Sequence, residues 1–336
     1  MKQKPVSIAA WSIGNHAVKN TLPALNEAEN LFFKGICTRN TEILLNQSRK
    51  YGVQAYISMK QMLNDNELDA VYIASPVGIH FEQAKAALQA NKHVIVEKSS
   101  FETLKQADEL IELSKEKDLV LMEAFMYRFH EQFVSLRELI QSKRFGRIRR
   151  IIATFGFPHL PVGDIRLNAD IAGGSLFDAG AYPISALNQL LPSAKVNFSR
   201  QSADNGYKVD TNGLAVLLSE KTEAIGIASW CFGADYKNEI EVWCEDATII
   251  VKRAFSKPPT LETSLEIYKN GSLYSEIKCE PMNHFVAMFE YFVECINSQL
   301  IRTNERALLI SQMKLMASIR GNKSQCSNYQ GFKQEN

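Results

Sequence analysis

Short apolar runs alternate with amphipathic helical stretches through roughly the first 120 residues, and this alternation constrains the fold more than any other feature of the chain. Val6–Trp11, Leu31–Cys37, Ala70–Ala74, Val94–Val96 and Val120–Met122 have the length and continuous apolar character of strands buried on both faces. Of the helical stretches between them, Phe81–Ala90 and Thr103–Lys117 are the clearest. Leu104, Ala107, Leu110, Ile111 and Leu113 lay one apolar stripe along the second of these. Strands and helices in this order build βαβ units. Right-handed crossovers then give an α/β fold, a doubly wound parallel sheet with ligands at the carboxyl ends of its strands.

The pattern changes after Gly146. Ile148–Phe157 reads as a strand, Ser175–Leu191 as a helix, and Gly213–Leu218, Ala224–Phe232, Ile240–Trp243 and Ala247–Val251 as further strands. Leu265–Lys269 and Leu273–Cys279 flank Asn270-Gly271, a strong hairpin signal. Helices are expected at about 283–299 and 304–320. This is the pattern of an α+β domain with a mostly antiparallel sheet. A chain of 336 residues exceeds a usual single core, so the expected division is 1–124, 125–320 and a polar tail, 321–336.

Composition excludes several partners. A formal net charge of +1 offers no electrostatic reason to bind nucleic acid or an anionic membrane, and the Arg147-Ile148-Arg149-Arg150 cluster reads as a solvated strand end. Cys37, Cys231, Cys244, Cys279, Cys295 and Cys326 form no Cys-x-x-Cys pair and no zinc-ligand spacing, so free thiols in a reducing compartment and no metal are expected. Asn15, His16 and Lys19 interrupt the first apolar run before it reaches the length of a signal or membrane segment. A cytoplasmic protein is expected.

Ser12-Ile13-Gly14-Asn15-His16-Ala17 sits between a strand and a helix, where a dinucleotide-binding Gly-x-Gly-x-x-Gly/Ala turn belongs. Gly14 lets the backbone approach a pyrophosphate and Ala17 allows close helix–sheet packing, but Ser12 must make the tight turn with a Cβ present. After the second strand, Cys37-Thr38-Arg39-Asn40 lacks the carboxylate that holds the ribose diol of NAD. Thr38 and Arg39 suit the 2′-phosphate of NADP instead, so NADP(H) is expected and NAD(H) is less favoured.

Two further segments carry chemistry. Val94-Ile95-Val96 ends in Glu97-Lys98, and Gly173-Gly174 leads to Asp178 and Tyr182, at i and i+4 on one face of a helix. A lysine, an aspartate and a tyrosine form a set able to move a proton to or from a sugar oxygen.

Together with Leu22-Pro23-Ala24-Leu25, Ala74-Ser75-Pro76-x-x-x-His80 and Met122-Glu123-Ala124-Phe125-Met126-Tyr127-Arg128-Phe129, these motifs resemble the glucose–fructose oxidoreductase / inositol dehydrogenase / rhizopine-catabolism (Gfo/Idh/MocA) oxidoreductases over nearly the whole chain. The resemblance implies an N-terminal Rossmann domain and a C-terminal sheet that carries substrate and often mediates oligomers, a homodimer or homotetramer. Gly163-Asp164-Ile165-Arg166, Ala169-Asp170, the Asp178-x-Gly180-x-Tyr182-Pro183 motif and Phe255-Ser256-Lys257-Pro258-Pro259-Thr260 are similar to the nucleotide-sugar 3-ketoreductases, which use NADPH. That likeness implies Tyr182 as general acid, Lys98 as the cation that favours its phenolate and polarises the oxygen, and Asp178 as orienter of Lys98 or binder of a sugar hydroxyl.

Ser75, Pro76 and His80 are placed beside the nicotinamide ribose, with Glu97 and Lys98 also at the cofactor, although a lone histidine at a helix start equally suits capping or packing. Arg166 either grips a substrate diphosphate or pairs within its domain, Arg128 is structural or functional, and Tyr236 and Asn238 edge the sugar pocket. The family's Glu-Lys-Pro with its cis bond becomes Glu97-Lys98-Ser99 here. A cis bond before a non-proline residue costs about 2.5–4 kcal/mol, so a trans bond is expected unless strain holds the other form. Aldose or dihydrodiol oxidation, and a non-catalytic NADP-binding sensor, are the alternative functions.

Overall fold

The structure is a computed structural model and describes residues 4–161, 163–204 and 206–321. The expected polar tail lies, from residue 322 onward, outside the described residues, as does Cys326.

Six parallel strands form the first sheet: β1 (Val6–Trp11), β2 (Leu31–Cys37), β3 (Gln54–Tyr56), β4 (Ala70–Ile73), β5 (His93–Glu97) and β6 (Leu121–Ala124). Their order is β3-β2-β1-β4-β5-β6, so it reverses between β1 and β4. Every residue of β1 and β4 is buried, which is why both read as unbroken apolar runs. The crossovers contain α1 (Leu22–Glu27), α2 (Thr41–Tyr51), α3 (Met59–Leu63), α4 (Val77–Gln89) and α5 (Leu104–Glu116). Gly52 ends α2 in the left-handed conformation, at φ +65°, and Thr103 with Gln106 closes a capping box on α5.

Two local features differ from expectation. β3 spans three residues, too few for a period-two signal to develop. Helix α4 starts at Val77 rather than Phe81, because Pro76 caps it and Gly78 continues it. A Cβ on Gly78 would press on the Ile171 backbone at 3.1 Å, so the bare backbone lets the helix start meet the second half of the chain.

The second sheet has eight strands: β7 (Ile148–Phe157), β8 (Ala194–Ser202), β9 (Asn212–Ser219), β10 (Ile225–Phe232), β11 (Lys237–Cys244), β12 (Thr248–Lys252), β13 (Thr263–Lys269) and β14 (Ser272–Cys279). The order is β14-β13-β12-β11-β7-β10-β9-β8, antiparallel throughout except for the β7–β10 pair. Sequence patterning missed β8 because Lys195, Asn197, Arg200 and Ser202 leave an edge strand with little apolar rhythm. Helices α6 (Glu131–Gln141) and α7 (Ala181–Leu190) pack on this sheet. Gly226 brings β10 against Leu187 and Leu191 at the end of α7.

The chain closes with α8 (His284–Asn297) and α9 (Gln299–Gly321), and these return to the first sheet. Leu309 and Met313 of α9 share a core with Ala107, Leu110 and Leu121, while Arg306 donates to the Ser114 and Leu119 carbonyls. No helix among the described residues is long and apolar enough to cross a membrane.

Candidate active site

β5 delivers Glu97 and Lys98 to the carboxyl edge of the first sheet. The Tyr72 hydroxyl donates to Glu97 Oε1 at 2.6 Å, and the Lys98 amide donates to Oε2 at 3.2 Å. The Lys98–Ser99 peptide bond is cis, against the expected trans form. That expectation used the local amide preference alone, whereas the segment is surrounded by distant partners. Ser99 Oγ donates to the Phe177 carbonyl at 3.0 Å, the Ser100 amide donates to Glu123 Oε1 at 2.8 Å, and both serine carbonyls face His80 Nδ1.

The partner of Lys98 arrives from the other half of the chain. Leu176–Gly180 is a π-helical turn that runs directly into α7. Its N-terminus is held by Asp210, whose Oδ2 accepts from Ser175 Oγ at 2.5 Å and the Leu176 amide at 2.7 Å. Gly174, at φ +123°, is needed where a Cβ would collide with Asp210. Asp210 lies 32 positions beyond Asp178 in a loop with no local signature, so sequence reasoning missed it.

So anchored, Asp178 and Tyr182 both meet Lys98. Lys98 Nζ lies 2.7 Å from Asp178 Oδ1, 3.0 Å from the Asp178 carbonyl and 5.1 Å from the Tyr182 ring centre. Burial opposes a charge on Asp178, but the Lys98 ammonium and the Arg166 guanidinium outweigh it and hold the carboxyl below its usual range. Tyr182 is buried among the rings of Phe125, Tyr127, Phe155 and Phe255. Its hydroxyl lies 3.6 Å from Met126 Sδ. Burial, then the carboxylates of Glu97 and Asp178, raise the phenol well above its ordinary value. The cation expected to favour the phenolate is engaged by Asp178 and makes no hydrogen bond to the Tyr182 hydroxyl.

A cleft with about 490 Å³ of free space, open to solvent, lies beside this group; Ser75, Pro76, Lys98, Arg166, Phe177 and Asp178 are among its lining residues. Arg166 sits on its rim. Asp164 accepts from Arg166 Nε at 2.9 Å and Nη2 at 2.8 Å, and Nη1 stands 3.5 Å from Asp178 Oδ2. Arg166 is therefore paired within its domain and also turned toward the cleft.

At the first turn, Ser12 adopts the left-handed conformation at φ +62°, doing a glycine's work with a Cβ in place. Its hydroxyl accepts from Gln83 Nε2 at 2.8 Å, and Gln83 Oε1 accepts from Ser75 Oγ at 2.7 Å. A Cβ on Gly14 would meet nothing within 4 Å, so the turn is open above its backbone. Asn15 and His16 are exposed at the start of a helical segment that runs through a π-helical turn at Ala17–Thr21 into α1, and the His16 ring contacts Phe285. Thr38 is half-buried and Arg39 exposed just past β2, with no carboxylate between Cys37 and Asn40. An open turn at the strand-order reversal, a helix start and a hydroxyl–guanidinium pair fit a phosphorylated dinucleotide.

Of its two expected roles, His80 takes the packing one. It is fully buried, with Nε2 2.6 Å from the Ser75 carbonyl and Nδ1 facing the Ser99 and Ser100 carbonyls. It staples the two loops that carry the cleft and is not among the cleft's lining residues, because its ring turns inward from the first turn of α4 onto those carbonyls. Arg128 makes a buried two-pronged pair with Glu305 of α9, at 2.9 and 2.6 Å. Asn238 donates to the Tyr236 hydroxyl and the Ser256 carbonyl, and the Tyr236 ring edges Phe155, which packs on Tyr182.

Residues 13–125 match the oxidoreductase family with an NAD-binding Rossmann fold, and residues 133–250 match the Gfo/Idh/MocA C-terminal domain. The chain belongs to the Gfo/Idh/MocA oxidoreductase family. A dTDP-3,4-didehydro-2,6-dideoxy-alpha-D-glucose 3-reductase of Saccharopolyspora spinosa is 30% identical over 80% of the chain and 81% of that protein. A D-xylose 1-dehydrogenase (NADP(+)) of Haloferax volcanii is 28% identical over 90% of the chain and 92% of that protein. Among solved structures, the family fold recurs in the 3-ketoreductase KijD10 of Actinomadura kijaniata, in complex with NADP and TDP-benzene. It has a TM-score of 0.89 at 24% identity and covers 94% of this chain and 97% of that one. The chain is thus an oxidoreductase of a family whose members act on sugar hydroxyl and keto groups.

Proposed function

We propose that the protein reduces a 3-keto group on a nucleotide-linked hexose with NADPH. The observation that carries this reading is the Lys98–Asp178–Tyr182 group beside a cleft with Arg166 on its rim. Ser12, Gly14, Asn15 and His16 would hold the diphosphate, Thr38 and Arg39 the 2′-phosphate, and Ser75, Pro76, Glu97 and Lys98 the nicotinamide end.

When bound, the cofactor supplies a hydride to the carbonyl carbon. Tyr182, a phenol that burial disfavours from ionising, donates its proton to the carbonyl oxygen as general acid. Lys98 faces the charge growing on that oxygen and offsets the phenolate left behind. Asp178 holds Lys98 in the cleft and accepts a hydrogen bond from a neighbouring sugar hydroxyl. Arg166 binds the substrate diphosphate with the guanidinium edge that Asp164 leaves open.

The test is a titration of NADPH against NADH by nicotinamide fluorescence, followed by turnover on a dTDP-linked keto-hexose. Arg166→Met should raise KM for the nucleotide sugar at least tenfold. A second reading, oxidation of a free aldose, is supported by the xylose dehydrogenase likeness over 90% of the chain. On that reading Arg166→Met leaves KM for the sugar unchanged. Tight NADH binding without preference for NADPH would overturn the roles of Thr38 and Arg39.

The second sheet supports a homo-oligomer. Phe198, Leu214, Leu218 and Trp243 are exposed on the face turned away from α7, with Ile152 and Ile227 between them. Light scattering of the purified chain tests this, and a monomer at micromolar concentration would overturn it.

A further inference from the structure

In a doubly wound sheet the dinucleotide lies where the strand order reverses, here between β1 and β4. Ser12 follows β1 and Ser75 comes two residues after β4, so their hydroxyls stand on opposite lips of that crevice. Gln83 of α4 joins them, donating to Ser12 Oγ and accepting from Ser75 Oγ. A carboxamide between two hydroxyls takes one hydroxyl hydrogen and returns one amide hydrogen. One hydroxyl hydrogen of the pair is left to donate. It belongs to Ser12, and among the described residues it has no acceptor.

Ser12 holds a left-handed φ that glycine adopts without penalty. The Cβ works against the backbone there, while the hydroxyl it carries completes the chain to Gln83 and Ser75. We propose that Ser12, Gln83 and Ser75 form a clamp across the crevice that presents the Ser12 hydroxyl as a donor to the diphosphate of the bound dinucleotide. Gln83 is then a positioning residue that acts through Ser12. The contact is a neutral hydroxyl on an anionic oxygen, a charge-assisted hydrogen bond, made beside the open backbone at Gly14. The inference rests on the cofactor reading above and adds to it the device that holds the phosphate turn.

NADPH is titrated by fluorescence against the wild-type chain, Ser12→Gly, Gln83→Leu and the double variant, and each is melted without ligand. Calorimetry with 2′-phospho-ADP-ribose, which keeps the diphosphate and lacks nicotinamide, runs in parallel. Ser12→Gly should melt at the same or a higher temperature, since glycine relieves the φ, yet bind both ligands at least fivefold more weakly. That loss is about 1 kcal/mol at 1.4 kcal/mol per tenfold. Gln83→Leu should weaken both ligands as well, and the double variant should be no weaker than Ser12→Gly alone.

Unchanged or tighter binding by Ser12→Gly overturns the donor role. Weaker NADPH binding with unchanged 2′-phospho-ADP-ribose binding overturns the assignment to the diphosphate. Fully additive losses overturn the action of Gln83 through Ser12. A wild-type chain that binds neither NADPH nor NADH removes the cofactor reading, and the clamp with it.

Discussion

Lys98 and Asp178, 80 positions apart in the chain, meet in an ion pair of 2.7 Å that bridges the end of β5 and the turn leading into α7. The pair joins the two halves of the protein at the cleft. Asp178 keeps its charge in a half-buried site because Lys98 and Arg166 both face it.

Replacing Lys98 tests this coupling. Lys98→Met removes the main cation at Asp178, so burial dominates and the carboxyl pKa rises. Turnover should fall by about 10²–10³-fold, the scale for losing one stabilising group at a developing oxyanion. NADPH affinity should change far less. Steady-state kinetics alongside cofactor titration checks both, and an unchanged kcat would refute the role.

Tyr182→Phe removes the proton donor and leaves the aromatic packing in place. A loss of about 10²–10⁴-fold in turnover is expected, with stability near wild type. Kinetics and thermal melts distinguish this from a packing role, in which neither value moves much.

Asp210 acts at a distance by holding the N-terminus of the turn that carries Asp178. Asp210→Ala should cost about 0.5–2 kcal/mol, as for a lost helix cap, and lower kcat as Asp178 and Tyr182 shift. Asp210→Asn keeps an acceptor and should recover most of both. Urea denaturation with kinetics on the two variants reads the difference.

Glu123 supplies a pH signature. Burial pushes its carboxyl up to about 7, despite the Ser100 amide and Arg128. Between about pH 4.5 and 7 the unfolded chain releases a proton that the native protein keeps, so the stability from this group is lost as pH rises. Glu123→Gln retains an acceptor for Ser100 and should flatten that part of the stability profile. Denaturation midpoints at pH 5 and pH 8 would refute it if both proteins changed equally.

Arg128 and Glu305 form the buried tie between the start of the second half and α9. Arg128→Met leaves the buried Glu305 without its cation, with the Tyr291 hydroxyl still donating to it, and should cost about 3–5 kcal/mol. Pairing it with Glu305→Leu should recover much of that loss in urea denaturation, since no charge then stays buried alone.

Patterns within one element were legible in the sequence. The β1, β2, β4, β5 and β6 runs, the stripe on α5 and the Asn270-Gly271 hairpin each rest on residues a few positions apart, where periodicity and turn chemistry act. Lys98, Asp178 and Tyr182 were legible as types at strand and helix ends, and the structure brings them together. What distant contacts decide was not legible. The polar edge strand β8 is held by pairing with β9, and α9 completes the core of the first sheet from the far end of the chain. His80 looked like a cofactor residue until three carbonyls from two loops enclosed it, and Asp210 became important only because Gly174 let it reach Ser175. Local pattern determined the elements and the chemical groups; long-range packing decided which groups share a site, because burial and hydrogen-bond partners exist only once the chain has closed on itself.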